Sequence, residues 1–384
     1  MKILALMTDS YNGFGGIAQY NRDVIDALNQ SSQVEKIVSL TRNFEFRISN
    51  FEKAKVEKGE LRLGKISNSA SGSGLPQKLT ESTRAGNPAA YAVEALRIAR
   101  RLRPDLILCG HMNLLPVAAA AAKLTKCRLV LETYGIEAWT RAGRLVSRCT
   151  GAADLVLAIS RYTRDRFLSW SPVEPYKVKV VCNAIRLDDY ALAKAPAYLV
   201  GRYKLEGKCV LLTLGRLSTA EQYKGQDRVI KLLPDLVKTY PNLVLLVAGD
   251  GDDLPRLKHL VEQFHMEEHL VFTGRISDEE KVDYYNLADA FAMPSTGEGF
   301  GFVFLEAAAC GLPVLGGSVD GSRDALLDGE LGLLVDPNDS DELLAGLREI
   351  LKRGKKIPAA LARFGFQRFR SQIESLLLAG CLYS

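Results

Sequence analysis

The strongest constraint on this chain is a rhythm. Short runs of β-branched and leucine residues alternate with helix-length amphipathic stretches through most of its length. Such runs, separated by helix-length crossovers, are the mark of parallel strands covered on both faces. In the first half they fall at 2–7, 106–109, 128–132, 155–159 and 178–181. In the second half they fall at 209–214, 243–248, 270–272, 290–293, 313–315 and 332–335. Two Rossmann-like α/β units are therefore predicted. The irregular stretch 186–207, which includes Ala-Lys-Ala-Pro-Ala, marks their junction. With 384 residues and 47% hydrophobic content the chain can fill two cores. A serine- and glycine-rich segment at 66–87 reads as a flexible polar loop inside the first unit.

Several classes drop out early. No apolar run approaches the ~20 residues that a membrane-spanning helix needs. The opening nine residues reach an acid at once and read as a buried strand rather than a signal peptide. Seven scattered cysteines, with no Cys-x-x-Cys pair, suggest neither a zinc site nor a disulfide framework, and a reducing, cytoplasmic compartment is expected.

The net charge of +5 hides an asymmetry. Residues 1–200 carry 29 Lys/Arg against 18 Asp/Glu, a balance of +11, and residues 201–384 carry 21 against 27, a balance of −6. A basic half joined to an acidic half points to different partners for each.

Ligands of open α/β sheets bind beyond the carboxyl ends of the strands, so two facing units would share a cleft. Two glycine-rich segments are placed for it. Gly13-Phe-Gly15-Gly16 follows the first strand and precedes an amphipathic helix, which suits either a tight turn or an anion at the helix N-terminus. It is not the dinucleotide pattern, because position 18 is alanine and no acid on a clear second strand follows about twenty residues later. The second segment runs from Pro294 to Val314. There a strand ends, a glycine-rich loop turns at Glu298-Gly-Phe-Gly301, and a helix opens near Gly301 and stops at Gly311. On a continuous helix Glu298 and Glu306 would lie about 12 Å apart. That exceeds the ~5–9.5 Å of a hydrolytic carboxylate pair and suits two hydroxyl-rich groups flanking a bound phosphate.

This segment resembles the E-x7-E motif of the retaining GT-B glycosyltransferases of family four. The resemblance extends to Gly215-Arg216-Leu217 with Lys224-Gly225, to Ala248-Gly-Asp-Gly251, to Phe272-Thr-Gly-Arg275-Ile276 and to Gly329-Glu-Leu-Gly332. In the first half it rests on Gly15-Gly16, His111, Tyr134-Gly-Ile-Glu137 and Asn183. It implies an acceptor-binding domain at 1–186 and a donor-binding domain at 205–360, with a last helix, about 362–384, crossing back to the first. Arg216 and Lys224 would then neutralise the diphosphate of a nucleotide-sugar. Glu298 would hold the donor sugar, and backbone N–H groups of Phe300, Gly301, Phe302 and Val303 its phosphate. Glu306 would hold the ribose, Arg275 and Ile276 the base, and Gly15, Gly16 and His111 would face them from the first domain. The implied reaction is hexosyl transfer to a glycan acceptor, carried on a lipid and reached from an anionic membrane surface in polysaccharide synthesis. No nucleic-acid partner, metal or cofactor is implied, the nucleotide-sugar being a co-substrate. The sequence departs from the family in having Tyr134-Gly135 for His-Gly and Asn183-Ala184 for Asn-Gly.

Three other readings compete. A transferase with a soluble acceptor and a sugar-nucleotide epimerase would both use such a fold. A catalytically silent carbohydrate-binding subunit is opposed by the joint presence of Arg216, Lys224, Glu298 and Glu306. Asp250-Gly-Asp252 matches a metal-binding pattern of a different glycosyltransferase fold, but its setting assigns it to a loop here.

Overall fold

A computed structural model describes residues 1–11, 13, 15–42, 77–83 and 87–378. Among the described residues, thirteen strands form two wholly parallel sheets. The first contains β1 (Lys2–Met7), β2 (Lys36–Thr41), β3 (Leu79–Thr83), β4 (Leu106–Gly110), β5 (Arg128–Thr133), β6 (Leu155–Ala158) and β7 (Val178–Val180). Their spatial order is β3-β2-β1-β4-β5-β6-β7. The second contains β8 (Cys209–Leu214), β9 (Leu243–Ala248), β10 (Leu270–Gly274), β11 (Ala290–Met293), β12 (Val314–Gly317) and β13 (Leu333–Val335), in the order β10-β9-β8-β11-β12-β13. Both are open doubly wound sheets whose direction reverses beside the first strand, between β1 and β4 and between β8 and β11. Crevices open at those reversals, past the strands' carboxyl ends.

Burial explains the strand sequences. Every residue of β9, Leu-Val-Leu-Leu-Val-Ala, is buried, because helices cover both faces. Two strands escaped the sequence reading. In β2, Lys-Ile-Val-Ser-Leu-Thr, a buried serine interrupts the apolar run. The edge strand β3, Leu-Thr-Glu-Ser-Thr, carries hardly any apolar signal, and it lies inside the stretch expected to be a polar loop. Residues 66–76 and 84–86 of that stretch fall outside the described residues. The second strand beyond the glycine segment is β2, which ends on Thr41 with no acid following directly.

The helices carry local stop and start signals. Asn87 accepts from Ala89 N at 2.9 Å and Pro88 opens the helix Pro88–Leu102. Asp339 accepts from Asp341 N and Glu342 N, each at 3.0 Å, to cap Ser340–Lys352.

The last described helix, Phe366–Leu377, returns to the first domain and packs on Gly16–Asn29. Phe369 meets Tyr20 edge-on at 5.7 Å, Arg370 Nη1 donates to Gln30 Oε1 at 3.0 Å, and Gln372 donates to the Val180 carbonyl at 3.0 Å. The Arg186 guanidinium stacks over Phe366 at 4.0 Å. One buried apolar cluster runs through both domains by way of this helix. Residues 379–384, with Cys381, lie outside the described residues, and the other six cysteines are free thiols.

Candidate active site

The two reversals face one another, and their loops meet. A Cβ placed on Gly16, at the head of the helix after β1, would lie 3.5 Å from the Phe302 ring across the cleft. One placed on Gly135, after β5, would lie 3.4 Å from the Gly299 Cα. Arg161, at the start of the helix Arg161–Leu168, crosses the gap with two hydrogen bonds of 2.8 Å, to Asp324 Oδ1 and Asp328 Oδ2. The described cleft is closed.

On the second-domain side the chain leaves β8 at Gly215-Arg216, and a short 3-10 segment, Thr219–Lys224, returns Lys224 to the same place. The Lys224 side chain packs over Gly215 and is 13% exposed, whereas Arg216 is 66% exposed. Both cations share one carboxylate. Glu221 pairs through Oε1 with Arg216 and through Oε2 with Lys224 Nζ, the latter at 2.6 Å. Sequence reading missed Glu221, although its i,i+3 spacing to Lys224 was a usable signal.

The Glu298 loop closes the other side. Asp320, after β12, accepts from Ser295 Oγ at 2.6 Å, Glu298 N at 2.7 Å and Ser322 N at 2.9 Å. It is the loop's internal anchor, and its distance along the chain left no local signal. The helix Phe302–Ala309 opens on Gly301 at φ +93°, where a Cβ would stand 2.6 Å from the Phe304 ring, so glycine is required there. Burial raises the Glu298 carboxyl to about 7, with nearby Lys224 opposing that shift and Asp320 and Glu221 reinforcing it.

Glu306 does not stand open to the cleft. Its Oε1 accepts from Tyr190 at 3.1 Å and Lys281 at 3.2 Å, and its Oε2 accepts from Tyr285 at 2.7 Å. Three of a carboxylate's roughly four acceptor positions are thus taken from within the protein, leaving about one for a ligand. Tyr190 lies on the interdomain connection, so this carboxylate also ties the junction to the second domain. Arg275 is exposed just past β10, and Ile276 packs on the shared core. Asp250 and Asp252 serve the loops: Asp250 accepts from Gly251 N at 2.8 Å, and Asp252 from Thr219 N at 2.9 Å and Oγ1 at 2.7 Å. Among the described residues no group of three or more His, Cys, Asp or Glu is placed to hold a metal.

On the first-domain side, His111 follows β4 and its Nδ1 accepts from Asn113 N at 3.0 Å. Burial lowers its pKa while Glu137 pulls the other way, so the ring is neutral near pH 7 and carries its proton on Nε2. Glu137 accepts from Tyr134 N at 2.6 Å and Gly135 N at 3.2 Å, holding the turn that meets Gly299. The Tyr134 side chain turns away from the cleft. Its hydroxyl reaches Asn21 Oδ1 at 2.6 Å and Glu132 Oε2 at 2.8 Å in the domain interior. The position where the family carries histidine therefore presents only backbone to the cleft.

The family model described as Glycosyltransferase Family 4 matches residues 14–189, and that described as Glycosyl transferases group 1 matches 202–367. The chain belongs to the GT-B glycosyltransferases of family four. Among its relatives is the GDP-mannose-dependent alpha-(1-6)-phosphatidylinositol monomannoside mannosyltransferase of Mycolicibacterium smegmatis, 34% identical over 60% of this chain and 63% of that protein. The phosphatidyl-myo-inositol mannosyltransferase of Mycobacterium tuberculosis is 35% identical over 50% of this chain and 51% of its own length. These matches span less than two thirds of either relative. The family fold is shared with Anabaena HepE in complex with UDP, at TM-score 0.75 and 20% identity over 99% of this chain and 100% of that one. It is shared as well with the lipopolysaccharide outer core galactosyltransferase WaaB, at TM-score 0.69 and 19% identity over 99% and 100% of the two chains.

Proposed function

We propose that this GT-B protein transfers a hexosyl group from a nucleotide-sugar to a lipid-linked acceptor, with retention of anomeric configuration. The observation that carries the reading is the convergence of Arg216 and Lys224, joined through Glu221, with the Glu298 loop that opens the helix Phe302–Ala309. There Thr296 N donates to the Tyr223 carbonyl at 2.9 Å, and the Lys224 charge acts on Glu298. Two cations and a helix N-terminus meeting at one sheet reversal suit a diphosphate, and they stabilise the charge that grows as it departs. The bond from the anomeric carbon to the diphosphate oxygen breaks, and the bond to the acceptor hydroxyl forms on the same face. The acceptor's proton passes to the departing oxygen, so no separate general base is required. Glu298 holds the sugar hydroxyls, and Glu306 offers its remaining acceptor position to the ribose. The family likeness and the mannosyltransferase relatives make GDP-mannose the first donor to test.

The acceptor half of the reading rests on charge. The helices Pro88–Leu102, Leu115–Thr125 and Arg144–Cys149 lie side by side on the first domain. They expose Arg100, Arg101, Lys123, Arg144 and Arg148 together with Leu124 and Leu145, the last 65% exposed. No helix among the described residues is long and apolar enough to cross a membrane. Basic and apolar side chains on one face suit peripheral attachment to an anionic leaflet, which we assign to the cytoplasmic side, at about 1 kcal/mol per cation.

The test is a transfer assay with GDP-mannose and UDP-sugars on vesicles containing phosphatidylinositol, with the product's anomeric configuration read by NMR. The absence of both transfer and slow donor hydrolysis, with every nucleotide-sugar tried, would sink the reading. Efficient transfer to a soluble acceptor without vesicle binding at low salt would sink its membrane half.

A further inference from the structure

We infer that Glu221 is a built-in competitor for the diphosphate, holding Arg216 and Lys224 in its place and weakening the grip on the nucleoside diphosphate product. The inference rests on the donor-site reading above. Each oxygen of Glu221 serves one cation, so its carboxylate bridges the pair as two phosphoryl oxygens of a diphosphate would. The pairing is well shielded on one side, where Lys224 and Glu221 are 13% and 14% exposed, and open on the other at Arg216. An arriving diphosphate meets a site whose charge is already partly neutralised. It must displace Glu221 or add its charge beside both Glu221 and Glu298.

The backbone that carries Glu221 is tied down independently of this pairing. Asp252 holds Thr219 through two hydrogen bonds, Gln222 Nε2 donates to Asp253 Oδ1 at 2.9 Å, and Thr296 N donates to the Tyr223 carbonyl at 2.9 Å. Glu221 itself leaves the helical conformation, at φ −120° and ψ 25°, in the middle of that segment. Yielding to the diphosphate therefore means swinging the Glu221 side chain about its own torsions, with the loop in place. A carboxylate displaced from two cations loses charge-assisted hydrogen bonds, and that loss is subtracted from the ligand's affinity. The product feels it most. It carries one more negative charge than the donor and has no sugar hydroxyls to bind elsewhere, so a larger share of its affinity comes from Arg216 and Lys224.

The experiment compares the full chain with Glu221→Gln by calorimetric titration of GDP, UDP and inorganic pyrophosphate. The neutral amide should bind pyrophosphate and its preferred nucleoside diphosphate about tenfold tighter, a change of the size that removal of a partly shielded competing charge gives. Meanwhile the unliganded variant melts no higher than wild type, because its two cations have lost their partner. A merely structural residue would lower both stability and affinity together. Adding Lys224→Ala to Glu221→Gln should erase the gain. Unchanged or weaker binding by Glu221→Gln overturns the inference while leaving the donor site standing. Failure of both proteins to bind any of the three probes overturns the donor-site reading, and the inference falls with it.

Discussion

Gly299 and Tyr134 belong to different domains, and their backbones touch: a Cβ placed on Gly299 would stand 2.1 Å from the Tyr134 carbonyl oxygen and 3.3 Å from the Gly135 Cα. Backbone faces backbone here, so no rotamer change can relieve a larger residue. The loop that presents Glu298 thus rests on the turn that Glu137 holds.

Substituting this glycine tests whether the closed cleft is the working form. Gly299→Ala should retain its fold by circular dichroism and lose at least about tenfold in kcat, since small misplacements of reacting groups are costly. Wild-type turnover in the variant would show that the contact is dispensable.

The two cations make a second test. Arg216→Ala and Lys224→Ala should each lower kcat by about 10²–10³, the usual loss when one group stabilising developing charge is removed. Near-normal turnover in either variant would take that residue out of the reaction.

Closure has its own ion pair. Asp324 is buried and Arg161 half-exposed, and a hydrogen bond from Arg161 holds the Asp328 carboxyl below the usual carboxylate range. A double-mutant cycle of Arg161→Ala and Asp324→Asn on chemical unfolding should give a coupling of about 1 kcal/mol that shrinks in high salt. Strict additivity would mean that the bridge contributes nothing to holding the domains together.

A buried acid predicts a pH dependence. Glu132 is fully buried, its Oε1 has no hydrogen-bond partner, and burial raises its carboxyl to about 7 against a Tyr134 hydrogen bond that lowers it. Between the unfolded value near 4.5 and about 7, the folded chain keeps a proton that the unfolded chain has released. Stability therefore falls as pH rises through that window, by an amount on the order of 3 kcal/mol. Glu132→Gln should be more stable than wild type at pH 8 and show a flatter pH profile in urea unfolding. Parallel profiles would mean that Glu132 is ionised in the folded state.

The framework of this fold was legible wherever a strand is covered on both faces. The run 243–248 announces β9 because every position needs an apolar side chain. The edge strand β3 was illegible for the opposite reason: Leu-Thr-Glu-Ser-Thr pairs through its backbone with β2 and needs little apolar content to do so. At the site, the glycine loops and the candidate side chains Arg216, Lys224, Glu298 and Glu306 stood out by type and spacing.

What the sequence determined by itself, then, was the parallel α/β architecture, the loops at the strand ends and the stock of charges they carry, because each depends on neighbours a few residues away. Tertiary structure alone decided how those charges are shared. It set Tyr190, Lys281 and Tyr285 on Glu306, fixed Asp320 beneath the Glu298 loop and drew the Tyr134 ring inward to Asn21 and Glu132. Those partners are brought together by the packing of sheets and domains. A carboxylate binds whichever donors the closed fold delivers, and local spacing carries no record of them.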